Sequence, residues 1–176
     1  MDDRLSSPQL ADPDHDLHDR VVVSITDDAY CVLAREAIAA GEPIMAIRGT
    51  ITRAQTRYSL QIDHDTHIVA GDEDAMNPKQ MTATDPWRFT NHGCVPNAMV
   101  VGRYFVAIHD IAENEEVVFN YNTTELSMTE PFQCHCGSLD CLRTIAGFRH
   151  LTVDQREHLR PWLAPHIEKW LEDSGK

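Results

Sequence analysis

The chain has 176 residues, enough for one domain of ordinary size with a core of its own. Apolar residues make up 42% and charged residues 24%, a globular composition, and no stretch nears the roughly 18 apolar residues of a membrane span. The net charge of −13 repels nucleic-acid phosphates and suits a Lys- or Arg-rich protein or peptide partner, although acidity by itself also keeps a protein soluble.

Residues 1–20 are acidic, carry Pro8 and Pro13, and set His15 and His18 among aspartates. They read as a flexible tail without the apolar stretch of a secretory leader, so a cytoplasmic protein (nuclear or cytosolic in a eukaryote) is expected. From residue 21 the character changes. VVVSI at 21–25 and YCVLA at 30–34 are strand-like, with Asp27 and Asp28 between them, and a third strand is expected to run from Ile44 to Gly49. Residues 56–63 and 66–70 predict a hairpin turning at Asp63, His64 and Asp65, followed by a polar loop over 71–86. Residues 98–101 and 103–107 flank Gly102 as a second hairpin, and 117–119 is one more short strand. Short strands with frequent turns indicate a mostly β domain of several small sheets.

The C-terminal stretch differs. Thr152 and Gln155 have the spacing of a capping box, and Leu159, Trp162, Leu163, Ile167, Trp170 and Leu171 recur at helical spacing. Pro161 and Pro165 break this stretch into two short helices, whose apolar face is expected to pack on the domain.

Chemistry concentrates around the cysteines. Five is an odd number, against a closed disulfide framework. Cys31 stands alone in an apolar strand and reads as a buried thiol. Cys134, Cys136 and Cys141 put three thiolates on one tight turn, with Gly137 allowing the bend. A structural zinc needs four ligands. His135 is poorly placed between two ligands, so Cys94, on the loop of residues 91–97 (NHGCVPN), is expected to be the fourth.

Three segments carry a family resemblance. RFTNHGCVPN at 88–97 resembles the RFxNHxCxPN signature of SET-domain lysine methyltransferases. EVVFNY at 116–121 resembles the family's E-L-T-F-D-Y strand, and CHCGSLDC at 134–141 resembles the post-SET CxCGSxxC. The resemblance runs over about residues 21–148. It implies a β-clip SET fold of small curved sheets with a knot-like crossing and a short C-terminal helical segment. The implied units are a SET domain at 21–124, a zinc-binding post-SET segment at 132–148 and C-terminal helices at 150–173.

The same resemblance implies S-adenosylmethionine as cofactor and one structural zinc. Asn91 and His92 would hold the cofactor, with Arg88 and Tyr58 along the same pocket, Tyr30 in the strand beside its methionine part, and Phe132 or Leu142 packing on the adenine. Tyr121 would touch the cofactor and act as the catalytic hydroxyl, orienting methyl and amine. Phe119 falls where the family carries phenylalanine or tyrosine, and with Ile47 it would line the substrate channel.

Three positions depart from the family pattern. The family's G-x-G-V-F-A is Ala29-Tyr30-Cys31-Val32-Leu33-Ala34 here, a tyrosine of the next strand is Ile47, and a common serine is Gly93. Two functions therefore remain in view. One is methylation of a lysine amine in a protein. The other is a SET-fold protein that acts on a small amine or a peptide natural product, or binds a partner without catalysis. No nucleic-acid or membrane partner is expected, and nothing in the sequence fixes the oligomeric state.

Overall fold

A computed structural model of the chain describes residues 18–26, 29–71 and 84–174. Most of the acidic tail with His15, the Asp27-Asp28 turn and most of the 71–86 loop lie outside them. Among the described residues, twelve short strands form five small sheets. The β-branched run β1 (Val21–Thr26) pairs antiparallel with β2 (Ala29–Ala34), matching Val21 to Ala34. Then β3 (Pro43–Ala46), β8 (Ala98–Val101) and β9 (Tyr104–Ala107) form a sheet in the order β3-β9-β8. All four residues of the central β9 are buried, as expected of a strand covered on both faces. The β8–β9 loop is only Gly102 and Arg103, and Gly102 opens it at φ +60°, a conformation that glycine adopts without steric cost.

A third sheet has the order β4-β6-β5, from β4 (Thr50–Thr52), β5 (Leu60–Asp63) and β6 (Thr66–Val69). Two boundaries differ from expectation by more than one residue. The strand expected to reach Gly49 stops at Ala46, and β4 follows as a separate element. The strand expected from residue 56 starts at Leu60, because Thr56 and Ser59 turn the backbone first. Thr56 N–H donates to Ser59 Oγ at 2.9 Å and Ser59 N–H to Thr56 Oγ1 at 3.1 Å.

One apolar core joins these sheets, with Val32, Ile44, Ile47, Ile68, Phe105 and Val117 sealed from solvent. A second core lies under the C-terminal helices α1 (Val153–Leu159) and α2 (Pro165–Ser174), around Phe148, Leu159 and Ile167. The Thr152–Gln155 capping box is formed. A 3-10 turn (Arg160–Trp162) with Pro161 near its start separates the two helices. His166 then ties α2 to the segment after the site, donating through Nε2 to the Thr124 carbonyl at 2.7 Å.

Candidate active site and cysteine cluster

Two strands of two residues each position the site. In β7 (Asn91–His92) and β10 (Val118–Phe119), Asn91 pairs with Val118 and His92 with Phe119, in parallel. The chain just beyond β7 prolongs this contact. Gly93 N–H donates to the Phe119 carbonyl at 2.9 Å, and Asn97 N–H to the Val118 carbonyl at 3.1 Å. The Asn97 side chain accepts from Val118 N–H at 2.8 Å and donates to the Glu116 carbonyl at 2.7 Å. Gly93 also leaves room for its neighbour, since a Cβ there would stand 2.7 Å from Val118 Cγ2.

Tyr121 leaves β10 into a 3-10 turn (Tyr121–Thr123). Its hydroxyl donates to the Thr90 carbonyl at 2.9 Å, which pins the phenol beside β7. Burial, aided by the Glu116 and Glu125 carboxylates, pushes its pKa well above that of an ordinary tyrosine, so it remains a protonated donor. Its ring lies 4.8 Å from Phe119, 5.3 Å from His92 and 6.1 Å from Phe132, centre to centre, while Phe105 backs Phe119 at 5.0 Å. Phe132, on β11 (Phe132–Gln133), reaches this group because β11 pairs with β12 (Thr144–Ile145). Ile47 lies in the same core as Phe119 and is only 1% exposed.

The other flank of β7 is polar and aromatic. The Asn91 amide donates to the Tyr30 carbonyl at 2.8 Å and to Glu116 Oε1 at 2.9 Å. The Tyr30 ring packs at a tilt against Phe89, 4.9 Å between centres, and the Arg88 guanidinium lies 4.1 Å over the Tyr58 ring. Arg88 Nε and Thr90 Oγ1, next to β7, are buried with no hydrogen-bond partner among the described residues. Such atoms suit a polar ligand that would satisfy them. Asn91, Arg88, Tyr58 and Tyr30 thus share one flank, and Tyr121, His92, Phe119 and Phe132 the other. The Thr90 carbonyl, Phe105 and Glu116 complete the site; Thr90 and Glu116 lie inside the RFTNHGCVPN and EVVFNY segments, whereas Phe105 lies outside every motif.

The sulfurs of Cys94, Cys134, Cys136 and Cys141 all lie within 4.8 Å of one another. Cys94 Sγ is 3.7 Å from Cys134 Sγ and 4.0 Å from Cys141 Sγ. Four thiolates at ~2.3 Å from a tetrahedral zinc stand about 3.8 Å apart, so both the donor set and its spacing fit that ion. Burial pushes the Cys94 and Cys134 thiols up, whereas the backbone at Ser138 draws Cys136 down to about 7. Leu142 N–H donates to Cys94 Sγ at 3.4 Å and so fastens the tail to the β7 loop. His92 is pushed down to about 4 by burial and is neutral. Its Nδ1 accepts Tyr121 N–H at 3.2 Å, which leaves the ring proton on Nε2, 3.2 Å from Cys94 Sγ.

Among the described residues, no helix is long and apolar enough to cross a membrane. Residues 29–122 match the SET domain model. Similar proteins include the methyltransferase flvH of Aspergillus flavus, 32% identical over 87 residues that cover 47% of this chain and 48% of that protein. A histone-lysine N-methyltransferase of Aspergillus oryzae, H3 lysine-36 specific, is 40% identical over 68 residues, 34% of this chain and 7% of that protein. The chain thus spans about half or less of the length of these curated relatives. A crystal structure of KRYPTONITE in complex with mCHH DNA, H3(1-15) peptide and SAH has the same fold at TM-score 0.50 and 22% identity, over 70% of this chain and 29% of that one. With its mostly β architecture and a family match over more than half its length, the chain belongs to the SET-domain family.

Proposed function

We propose that the chain is an S-adenosylmethionine-dependent N-methyltransferase acting on a lysine amine in a basic protein or peptide. One observation carries this proposal above all. The Tyr121 hydroxyl is held on the Thr90 carbonyl, one residue before Asn91, and its ring packs with those of Phe119 and Phe132. When bound, the cofactor supplies a methyl group on a cationic sulfur, and its transfer to a neutral amine leaves a neutral sulfide. Asn91, His92, Arg88, Tyr58 and Tyr30 hold that cofactor from the β7 side, and Phe132 and Leu142 from the tail. The packed rings of Phe105, Phe119 and Tyr121 exclude water, which favours the neutral amine over its ammonium form. Tyr121 orients the reacting amine, and alignment supplies much of the rate.

The net charge of −13 favours a cationic substrate and disfavours nucleic acid. The H3 peptide of the KRYPTONITE complex and the histone specificity in the name of the A. oryzae relative support the same substrate class. Cys94, Cys134, Cys136 and Cys141 hold one structural zinc, which makes residues 132–148 a post-SET segment. The cytosol or nucleus is the proposed location.

A second reading rests on a different observation. The free edge of β5 is already bonded to the chain's own segment after Tyr121. Gln61 N–H donates to Glu125 Oε1 at 2.7 Å, Leu126 N–H to Gln61 Oε1 at 2.9 Å, and Gln55 Nε2 to the Ser127 carbonyl at 2.6 Å. Arg57 pairs with Glu130 at 3.2 Å along the same seam. An extended peptide could not add to that edge without displacing these bonds, which favours a small amine or a compact peptide natural product. Calorimetric titration with S-adenosylmethionine, then mass spectrometry with histone peptides and small amines, tests both readings. Absence of cofactor binding refutes the enzyme and leaves a binding protein.

A further inference from the structure

The mechanism above makes no use of Glu116, although it is built into the site. Its backbone bridges to Leu33 of β2, its carbonyl takes the Asn97 amide, and its carboxylate accepts from Asn91 Nδ2 at 2.9 Å. The side chain is half-buried, and no lysine or arginine lies within ion-pairing distance of it among the described residues. Neighbouring Glu115 is spent differently, on the Asn97 amide at 3.0 Å and on the Ala112 N–H at 2.9 Å. Among the described residues, Glu116 therefore brings to the Asn91 flank a negative charge with no ion-pair partner. Its field also reaches the Tyr121 phenol, whose pKa it helps to raise.

Both hydrogens of the Asn91 amide are taken, one by the Tyr30 carbonyl and one by Glu116. That fixes the amide and leaves Oδ1 as its remaining polar function. A carboxylate held there does more than orient an amide, because it lowers the energy of any cation bound beside it.

We propose that Glu116 is the charge by which the site prefers the cationic cofactor to its neutral product. The inference rests on the methyltransferase reading and extends it. Methyl transfer breaks the bond between sulfur and methyl carbon, with the electron pair staying on sulfur. The amine's lone pair forms the new bond, and the positive charge passes to nitrogen, which sheds a proton to solvent. S-adenosylmethionine and S-adenosylhomocysteine share their adenosine and amino-acid parts and differ by that methyl and its charge. Both carry the same α-ammonium, which Glu116 attracts alike, and only the first adds a sulfonium for it to attract, so the product is held less tightly and released more easily. It is a positioning residue with an electrostatic role.

The test is calorimetric titration of the full chain with each of the two ligands. Glu116→Gln keeps an acceptor for Asn91 Nδ2 and removes only the charge. The variant is expected to bind S-adenosylmethionine about tenfold more weakly, the scale of one partly buried carboxylate–cation interaction, and to lose affinity for S-adenosylhomocysteine by a clearly smaller factor. Equal weakening of both, as a purely structural role would give, overturns the inference, and so does no change in either. Wild-type chain that binds neither ligand overturns the methyltransferase reading itself and takes this inference with it. Should Glu116→Gln fail to fold, wild type supplies the answer through salt. Screening narrows the ratio of the two affinities if the charge matters, and a ratio that stays flat refutes it.

Discussion

His92 and Cys94 face each other at 3.2 Å, imidazole Nε2 to thiol sulfur, while the other ring nitrogen of His92 receives the Tyr121 backbone N–H. A single side chain thus links the cysteine cluster to the proposed catalytic residue. The tail adds a second link through Leu142 N–H on the same sulfur. Cys94 belongs at once to the thiol cluster and to the segment that carries Asn91, so disorder in the tail should be felt at the cofactor flank.

Zinc is therefore expected at one per chain. Cys134→Ser should abolish stoichiometric zinc by elemental analysis, raise hydrogen exchange over residues 132–145, and weaken S-adenosylmethionine binding through the His92 and Leu142 links. Metal removal by a chelator should do the same to wild type, because a structural zinc contributes folding free energy. Zinc-free, carefully purified protein refutes the site. So does a native disulfide joining any two of the four cysteines.

Tyr121→Phe removes one hydroxyl and one hydrogen bond, to the Thr90 carbonyl, and leaves the ring contacts with Phe119 and His92. Stability should fall by about 1 kcal/mol, the net worth of such a bond. Methyl transfer should fall by roughly a hundredfold or more, as when a positioned catalytic donor is lost, with cofactor affinity changed only a few-fold. Wild-type turnover in this variant ends the catalytic assignment.

Much of this was legible in the sequence. The cysteine spacing anticipated the thiol cluster, and Gly102 and the Asp63–Asp65 turn marked both hairpins. Thr152, Gln155 and the two prolines marked the helices. The strands β7, β11 and β12 were harder, because two residues cannot show a period-two alternation, whereas β10 lies within the strand expected at 117–119. Gly93, read as a departure from a common serine, has a local reason in three dimensions, since Val118 occupies the space a side chain would need. The network of Gln55, Gln61 and Glu125 left no local signal. It joins residues more than sixty positions apart.

Glu125 gives that network a pH dependence. Burial lifts its pKa from 4.5 to about 7. The folded pKa lies above the unfolded one, so the stability linked to this group is complete below 4.5 and is lost as pH rises through about 7. Taking ~1.4 kcal/mol per unit, the loss by pH 8 is at most about 3.5 kcal/mol. Buried His67 and His166, both with lowered pKa values, act in the opposite sense under acid, but they are common to wild type and variant. Thermal melts of Glu125→Gln should therefore gain on wild type steadily between pH 5 and pH 8. Parallel curves over that range contradict the assignment.

The last expectation concerns product range. Phe119 is only 5% exposed, with its ring 4.8 Å from Tyr121 and 5.0 Å from Phe105, and Ile47 lies in the same core. Of these side chains only Tyr121 carries a hydroxyl, and that hydroxyl is committed to the Thr90 carbonyl. A tyrosine at position 119 would bring a second hydroxyl able to hold a water against the amine, and that water would block the rotation needed for another round. Phenylalanine holds no such water, so a methylated amine can turn and present its lone pair again. Di- or trimethylated product is expected from wild type, and Phe119→Tyr should shift output toward the monomethyl form. The new hydroxyl must find a partner in a buried place, so the variant should also lose about 1–3 kcal/mol of stability if it finds none. Mass spectrometry of a time course with excess cofactor separates the outcomes. Monomethyl product alone at exhaustion of substrate, from wild type, would show that the shape of the substrate, rather than Phe119, sets the limit.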